Sequence, residues 1–303
     1  MSSPAPPAAE FAVCRELLRS RATPLRTVAL GGDSNAWLVH WRNADTETAY
    51  AQPGHHTLSL YLDGGEQVRC LEQPQARGAP GSLCCMPAGH QSRWQVHGTL
   101  QLLHLYLPTL PLALAAEQWF DRDPRLASLR DRIWFDDEVL AALGRRIVAL
   151  DWTHTDAGLA LQELTLQMQA RLLQAHGDSQ RPVTGTAVRG GLSAAARRRV
   201  LDCIEAAPAG ASPSLDELAA AACLSSYHFL RMFKASFGQS PHAWVMQRRL
   251  AKARALLGAG RLPLPQVAEA AGYAHLSHLN TALKRAGLGS AAQHRAVMRR
   301  VAV

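Results

Sequence analysis

The sequence predicts an α+β protein of two domains. A strand-rich barrel or sandwich with a helical layer comes first, and an all-helical domain follows. Three observations carry this. Residues 27–108 are short apolar or alternating runs separated by Gly and Pro turns. After Pro108 the apolar period changes to that of helices. Charge divides the chain further on, at the linker: residues 193–303 hold 15 Lys+Arg against 5 Asp+Glu, a net of +10, whereas residues 1–192 hold 17 against 19, a net of −2.

Length and composition agree. The chain has 303 residues, 48% hydrophobic and 18% charged, enough for two cores. Basic charge confined to the C-terminal third points to a polyanion partner, most often nucleic acid. Arg dominates it, the lysines being Lys234, Lys252 and Lys284 alone. The six cysteines, Cys14, Cys70, Cys84, Cys85, Cys203 and Cys223, make no C-x-x-C pair and read as reduced thiols of a cytoplasmic protein. No basic-then-apolar leader is present, and no apolar run approaches the roughly 18 residues of a membrane span.

Residues 1–9 are rich in Pro, Ala and Ser and are expected to be disordered. The strand candidates are "AWLVHW", "HTLSLYLDGG", "EQVRCLEQ", "GSLCCMPAG", "SRWQVH" and "LQLLHLYLP", with turns at Gly64-Gly65, Pro80-Gly81, Pro87-Gly89 and His97-Gly98. Cys84 and Cys85 are adjacent, so one faces each side of a strand. Helices are expected at 111–119, 124–130, 136–150 and 156–176. The last carries two adjacent apolar rows, Leu161, Leu164, Met168, Leu172 and Leu159, Leu166, Leu173, which suits either a core helix or a dimer helix. The domain thus runs over 10–176. Residues 177–192, with four glycines and no apolar period, form the linker.

The region 193–303 is helical throughout. Ser193 suits the N-cap of "AAARRRVLDCIEAA". Ser214-Leu-Asp-Glu217 is a capping box. The helix it opens buries Leu215, Leu218 and Ala219, and Ala222 and Cys223 keep the following turn small. Ser225 caps the next helix, with Phe229, either Met232 or Phe233, and Phe237 inward and Ser226, Tyr227, Leu230, Arg231 and Lys234 outward. A helix, a tight turn and a helix with a polar and basic outer face describe a helix-turn-helix over 214–237. A joining helix near 241–257 turns Val245, Leu250, Ala253 and Leu257 in and Arg248, Arg249, Lys252 and Arg254 out. The shape then recurs at 263–286. Leu215, Leu218, Ala219, Cys223 and Leu224 match Leu264, Val267, Ala268, Gly272 and Tyr273 at a shift of 49, and His228, Phe229, Phe233 and Lys234 match His278, Leu279, Leu283 and Lys284 at a shift of 50.

These residues resemble the AraC-type transcription regulators. The resemblance covers about 100 residues. It rests on the "LS-x-x-HF-x-R-x-FK-x-x-FG-x-x-P" run, the "RR-L-x-x-A-x-x-LL" of the joining helix and the "VA-x-x-x-GY" of the second module. It implies that each second helix enters a major groove, the two about one DNA turn apart, roughly 34 Å. Tyr227, Leu230 and Arg231, with Ser226 beside them, are then base- or phosphate-facing residues of the first module. Ser277, His278, Asn280 and Thr281 hold those places in the second. Arg231 suits a guanine edge or a phosphate. Asn280 suits an adenine edge or plain solvent. Lys234, Lys284 and Arg285 suit phosphate. The second copy departs from the family pattern, with Leu279, Thr281 and Leu283 where an aromatic, an arginine and an aromatic are usual, and "GLGSA" without the proline. The second module is therefore expected to read sequence more weakly.

The strand-rich region resembles the cupin-like sensor domain that often precedes this DNA-binding domain. "PGSLCCMPAGH" carries the G-x5-P-x-G core in Gly81, Pro87 and Gly89. The metal set of enzymatic cupins is missing: His55 and His56 are adjacent, no Glu follows, and Ser92 stands at the second histidine position. No catalytic residue, metal or cofactor is expected. His55, His56, Tyr61, His90, Trp94 and His104 are the candidate lining of a small-ligand pocket. The reading is a transcription regulator, not an enzyme, with duplex DNA, a small-molecule effector, a second copy of the chain and RNA polymerase as partners. An N-terminal domain that only dimerises and a cupin-type metalloenzyme are the alternatives.

Overall fold

The computed structural model describes residues 6–7, 10–31, 35–123, 127–154, 156–177, 190–208 and 210–301. The chain divides into two compact units, residues 1–153 with 164–185, and residues 154–163 with 186–303. The expected α+β organisation is present, an antiparallel sheet unit followed by a helical one. The sequence-expected linker falls mostly on 178–189, outside the described residues, as do 1–5, 8 and 9 of the expected disordered tail. Pro7 of that tail is buried, and its carbonyl accepts from the Glu10 and Phe11 amides at 3.2 and 3.0 Å.

The first unit opens with helix α1 (Ala12–Arg19). Its sheet holds β1 (Thr23–Leu30), β2 (Ala36–Ala51), β3 (His56–Asp63), β4 (Arg69–Cys70), β5 (Leu83–Met86), β6 (Gln91–Leu107) and β7 (Arg132–Phe135) in the order β1-β2-β6-β3-β5-β7, with β4 on β6. All pairs are antiparallel. β2 and β6 are long, and both halves of each feed one core. Val39, Trp41, Tyr50, Trp94, Val96, Leu102 and Tyr106 belong to a single buried cluster, so the sheet curls around it.

The curl has a local cause. The β2–β6 register shifts between Ala44 and Thr46, where Asp45 has φ 47 and Gly98 φ 70, and Asp45 Oδ1 accepts from the Gly98 amide at 2.8 Å. His97-Gly98 was expected to be a turn between two strands. It is instead part of a bulge that bends one continuous strand. "EQVRCLEQ" supplies only the two-residue β4, because turns occupy its ends.

Helices α2 (Thr109–Phe120), α3 (Glu138–Ala149) and α4 (Ala157–Ala175) follow. The helix expected at 124–130 is a correction. Residues 124–126 lie outside the described set, and 127–130 form no helix, with Leu129 bridging to Gly177. The unexpected β7 pairs Leu83 with Phe135, an edge position that a short run like "RIWF" can fill. On α4, Leu164, Leu166, Met168, Leu172 and Leu173 are all buried, so its wide apolar stripe is absorbed within one chain. Asp137 caps α3 through the Leu140 amide and takes Arg171 and His176, both at 2.9 Å. Burial would raise its pKa, but the His176, Leu140 and Arg171 donors outweigh that and hold it below its ordinary value.

The second unit contains α5 (Ala194–Ala206), α6 (Leu215–Ala222), α7 (Ser226–Phe237), α8 (Pro241–Ala259), α9 (Leu264–Ala270), α10 (Leu276–Arg285) and α11 (Ala291–Val301). The caps are as read. Ser193 accepts from the Ala196 amide, Ser214 and Glu217 form a reciprocal box, and Ser225 accepts from the amide three residues on; Ser240, not among the caps expected from the sequence, caps α8 in the same way. α8 packs against α7 on one side and α9, α10 and α11 on the other. Its 19 residues make it about 28 Å long. The first module is cored by rings, Phe229, Phe233, Phe237 and Trp244, with centroids 4.4–6.1 Å apart. The second is cored by Leu279, Leu283, Leu257, Val267 and Tyr273.

Candidate nucleic-acid interface

The two helix-turn-helix turns have the same hydrogen-bond pattern. In the first, the Cys223 amide bonds Ala220 O and the Leu224 amide bonds Ala219 O, with Cys223 left-handed at φ 59 and ψ 43. In the second, Gly272 bonds Glu269 O and Tyr273 bonds Ala268 O, with Gly272 at φ 86. This double closure of a helix end requires one left-handed residue. Gly272 supplies it without strain, whereas Cys223 carries a Cβ there.

On α7 the candidate contacts lie along one side. Lys234 is exposed, and Tyr227, Leu230 and Arg231 are partly so. The Arg231 guanidinium lies over the Tyr227 ring, 5.5 Å from its centroid, which limits the reach of the fork. Ser226 has an internal role, its hydroxyl donating to Asp216 Oδ1 at 2.5 Å to tie α7 to α6. Phe229 and Phe233 are fully buried behind this row.

On α10 the expected set divides. Ser277, Thr281, Lys284 and Arg285 are exposed. The Thr281 hydroxyl donates to Ser277 O at 3.0 Å. Two residues have partners within the protein. Asn280 Oδ1 accepts from the Ala291 amide at 2.8 Å and so caps α11; an adenine reader needs that oxygen for the base. His278 turns inward, its side chain 12% exposed, with Nε2 3.5 Å from Asp156 Oδ2. Burial first, then the neighbouring His154, pushes its pKa down to about 4, so it offers no positive charge to a phosphate at neutral pH.

Arg249 is a further correction. It was expected outside on α8 with Arg248, Lys252 and Arg254, which are exposed. Its own side chain is 11% exposed. Its fork gives Nη1 to Asp156 Oδ1 and Nη2 to Ala211 O, both at 2.6 Å. Nothing local marks this pair, because Asp156 lies 93 residues away at the start of a helix.

In the sheet unit, Tyr61, Trp94 and His104 do line a cavity, together with Tyr50, Cys84 and Met86 among others. Its volume is about 30 Å³, space for a molecule of water size. Cys84 faces this interior while Cys85 does not. No side chain on its walls carries a charge. Burial pushes the His104 pKa down to about 3, and the Cys84 thiol up to about 12. The other three candidates do not line it. His55 Nε2 accepts from the Val13 amide at 3.4 Å and packs on Phe11 and Tyr106. His56 is buried at the start of β3. His90 binds Asp131 through Nδ1 at 2.8 Å and Ser92 Oγ through Nε2 at 2.6 Å. That Ser-His-Asp order is not a nucleophile's site: Ser92 is 2% exposed and its oxygen also takes the Trp94 indole N–H at 2.7 Å.

Residues 218–295 match a family model described as a helix-turn-helix domain. "Probable transcriptional regulator LumQ" from Photobacterium leiognathi is 35% identical over 72 residues, 24% of this chain and 29% of that protein. The chain thus spans under a third of this curated relative. Among solved structures, the DNA-binding domain of AdpA in complex with a target DNA is similar at 26% identity and a TM-score of 0.32, over 36% of this chain and 96% of that one. ToxT from Vibrio cholerae is similar at 9% identity and a TM-score of 0.33, over 82% and 93%. Among the described residues no helix is long and apolar enough to cross a membrane. The matched sequence and the paired turns together make residues 218–295 of this chain a helix-turn-helix domain.

Proposed function

We propose that the chain is a sequence-specific transcription regulator in which α7 reads a major groove and α10 mainly holds phosphate. The observation that carries this is the difference between the two outer rows. α7 presents Arg231 and Lys234. α10 presents Thr281 at the place equivalent to Arg231, and its Asn280 oxygen and His278 ring are engaged inside the protein. Specific sites selected from random duplexes should therefore have one constrained half and one loose half. Arg231→Ala should cost about 1–3 kcal/mol on the selected site if its fork reads a base. An equal loss on every sequence would reduce Arg231 to a phosphate contact, and no salt-dependent binding of the full chain to duplex DNA would end the proposal.

The sheet unit is the proposed effector domain. Its cavity walls carry no charge and mix apolar side chains with Asn43, Thr48, Ser59 and His104, which suits a neutral ligand and disfavours sugar acids and other anions. Any ligand larger than a water must displace side chains, Met86 being the most adaptable of them. The second reading, a unit that only pairs chains, is favoured by the small volume. Titration of the full chain with neutral aromatic and aliphatic metabolites, read by tryptophan fluorescence through Trp94 and by Tm, separates the two. A saturable response supports the effector reading, and its absence supports the second.

A further inference from the structure

The helical unit contains a cluster of metal-ligand side chains that DNA binding does not use. Residues 154–163 belong to this unit, and His154 and Asp156 at their start meet His278 of α10. One donor atom from each of the three lies within 4.8 Å of the others. The two imidazole centroids are 3.7 Å apart, and His278 Nε2 is 3.5 Å from Asp156 Oδ2. Two ligands on a tetrahedral zinc with bonds near 2.0–2.1 Å stand roughly 3.3 Å apart. The His278–Asp156 pair already has that separation, and the widest pair must close by at most ~1.5 Å.

A second observation points the same way. Asp156 is 4% exposed, and its Oδ2 has no hydrogen-bond partner; His154 Nε2 and His278 Nδ1 have none either. Buried polar atoms are seldom left so; an ion between the rings would satisfy Asp156 Oδ2 and His154 Nε2, while His278 would ligate through the Nε2 that faces Asp156. The carboxylate is oriented from behind. Its Oδ1 accepts from Arg249 Nη1 at 2.6 Å and from Ser212 Oγ at 3.1 Å, which leaves Oδ2 directed at the imidazoles. Such outer contacts are what hold a metal-binding carboxylate in place. Two features act against a cation. The Arg249 charge lies one carboxylate away, and His154 Nδ1 takes a long contact of 3.4 Å from the Asp156 amide. Ligation through Nε2 puts the proton on Nδ1 and gives up that contact, so binding involves rotation of the His154 ring.

We propose that His154, Asp156 and His278 bind one divalent first-row transition ion. Two imidazoles and one carboxylate fit zinc best, with water completing the shell. His278 lies in the first turn of α10. The ion therefore ties the outer helix of the second helix-turn-helix to the segment that begins at His154, and metal supply becomes a control on how firmly that helix is held.

The test uses the full chain, stripped with a chelator and then titrated with Zn²⁺ against a chromophoric competitor. One equivalent per chain is expected. Co²⁺ in its place should give the visible bands of a low-coordinate nitrogen–oxygen site. His278→Gln and His154→Gln should each weaken Zn²⁺ binding by at least about 100-fold. His228→Gln, at the matching place in the first module, should leave it unchanged. Asp156→Asn is less useful, since it also strands Arg249. Failure of the wild-type chain to take up a stoichiometric ion overturns the proposal without any variant. Binding that persists undiminished in both histidine variants, as at the exposed Cys223, overturns it equally.

Discussion

Arg249→Ala is the perturbation whose size the structure sets most directly. The change removes both fork contacts. It leaves the Asp156 carboxylate, 4% exposed, with Ser212 as its remaining donor on Oδ1, and it leaves the Ala211 carbonyl without its 2.6 Å partner. The side-chain stem also packs on Gly272, where a Cβ would meet Arg249 Nε at 3.0 Å. Removing one member of a buried ion pair costs about 3–5 kcal/mol, because the other charge stays buried. The lower value is apt, since the Ser212 hydroxyl still donates to Oδ1 at 3.1 Å. The assay is native-state hydrogen exchange of the α8, α9 and α10 amides in the full chain, with chelator present. A loss of 3 kcal/mol appears as roughly 100-fold faster exchange. The double change Arg249→Met with Asp156→Leu should recover most of it. Exchange accelerated less than about five-fold in the single variant would refute the claim that this pair holds the second module together.

Other consequences are smaller or confined to one unit. Cys223→Gly should stabilise the first module by about 1 kcal/mol, because a left-handed residue loses its Cβ penalty; an unchanged or lower denaturation midpoint would count against strain in that turn. Thr281→Arg should strengthen DNA binding and steepen its salt slope by about one unit, and an unchanged slope would mean that the exposed face of α10 lies away from DNA. Burial pushes the His55 and His56 pKa values down to about 4 and His104 to about 3. The unfolded chain therefore takes up protons below about pH 6.5 that the folded sheet unit refuses. Its stability should fall as pH drops from about 6.5 toward 4, by up to about 1.4 kcal/mol per pH unit for each imidazole, and His104→Gln should flatten that slope. A pH-independent denaturation midpoint over that range would show that these rings are solvated.

What the sequence determined alone was local. Caps, turns and apolar periods are written in neighbouring residues, so Ser193, Ser214 with Glu217, and Ser225 opened their helices where expected. The repeat at a shift of 49 to 50 was visible because each module is a short-range object. Its second left-handed turn was legible in the match of Cys223 to Gly272. The unequal outer rows were legible too, since Thr281 replaces an arginine in the sequence itself.

The tertiary structure decided whatever depends on contacts between distant residues. His278 and Asn280 sit at positions that point outward in a helix-turn-helix pattern, yet one meets Asp156 and the other caps α11. Arg249 looked like surface charge until α8 was placed over residues 156 and 211. His97-Gly98 read as a turn, but pairing along the whole of β2 kept the strand going and made the same residues a bulge. In each case the local chemistry allowed two conformations or two faces. Only the partner brought in by the fold, a carboxylate, a helix end or a neighbouring strand, selected between them.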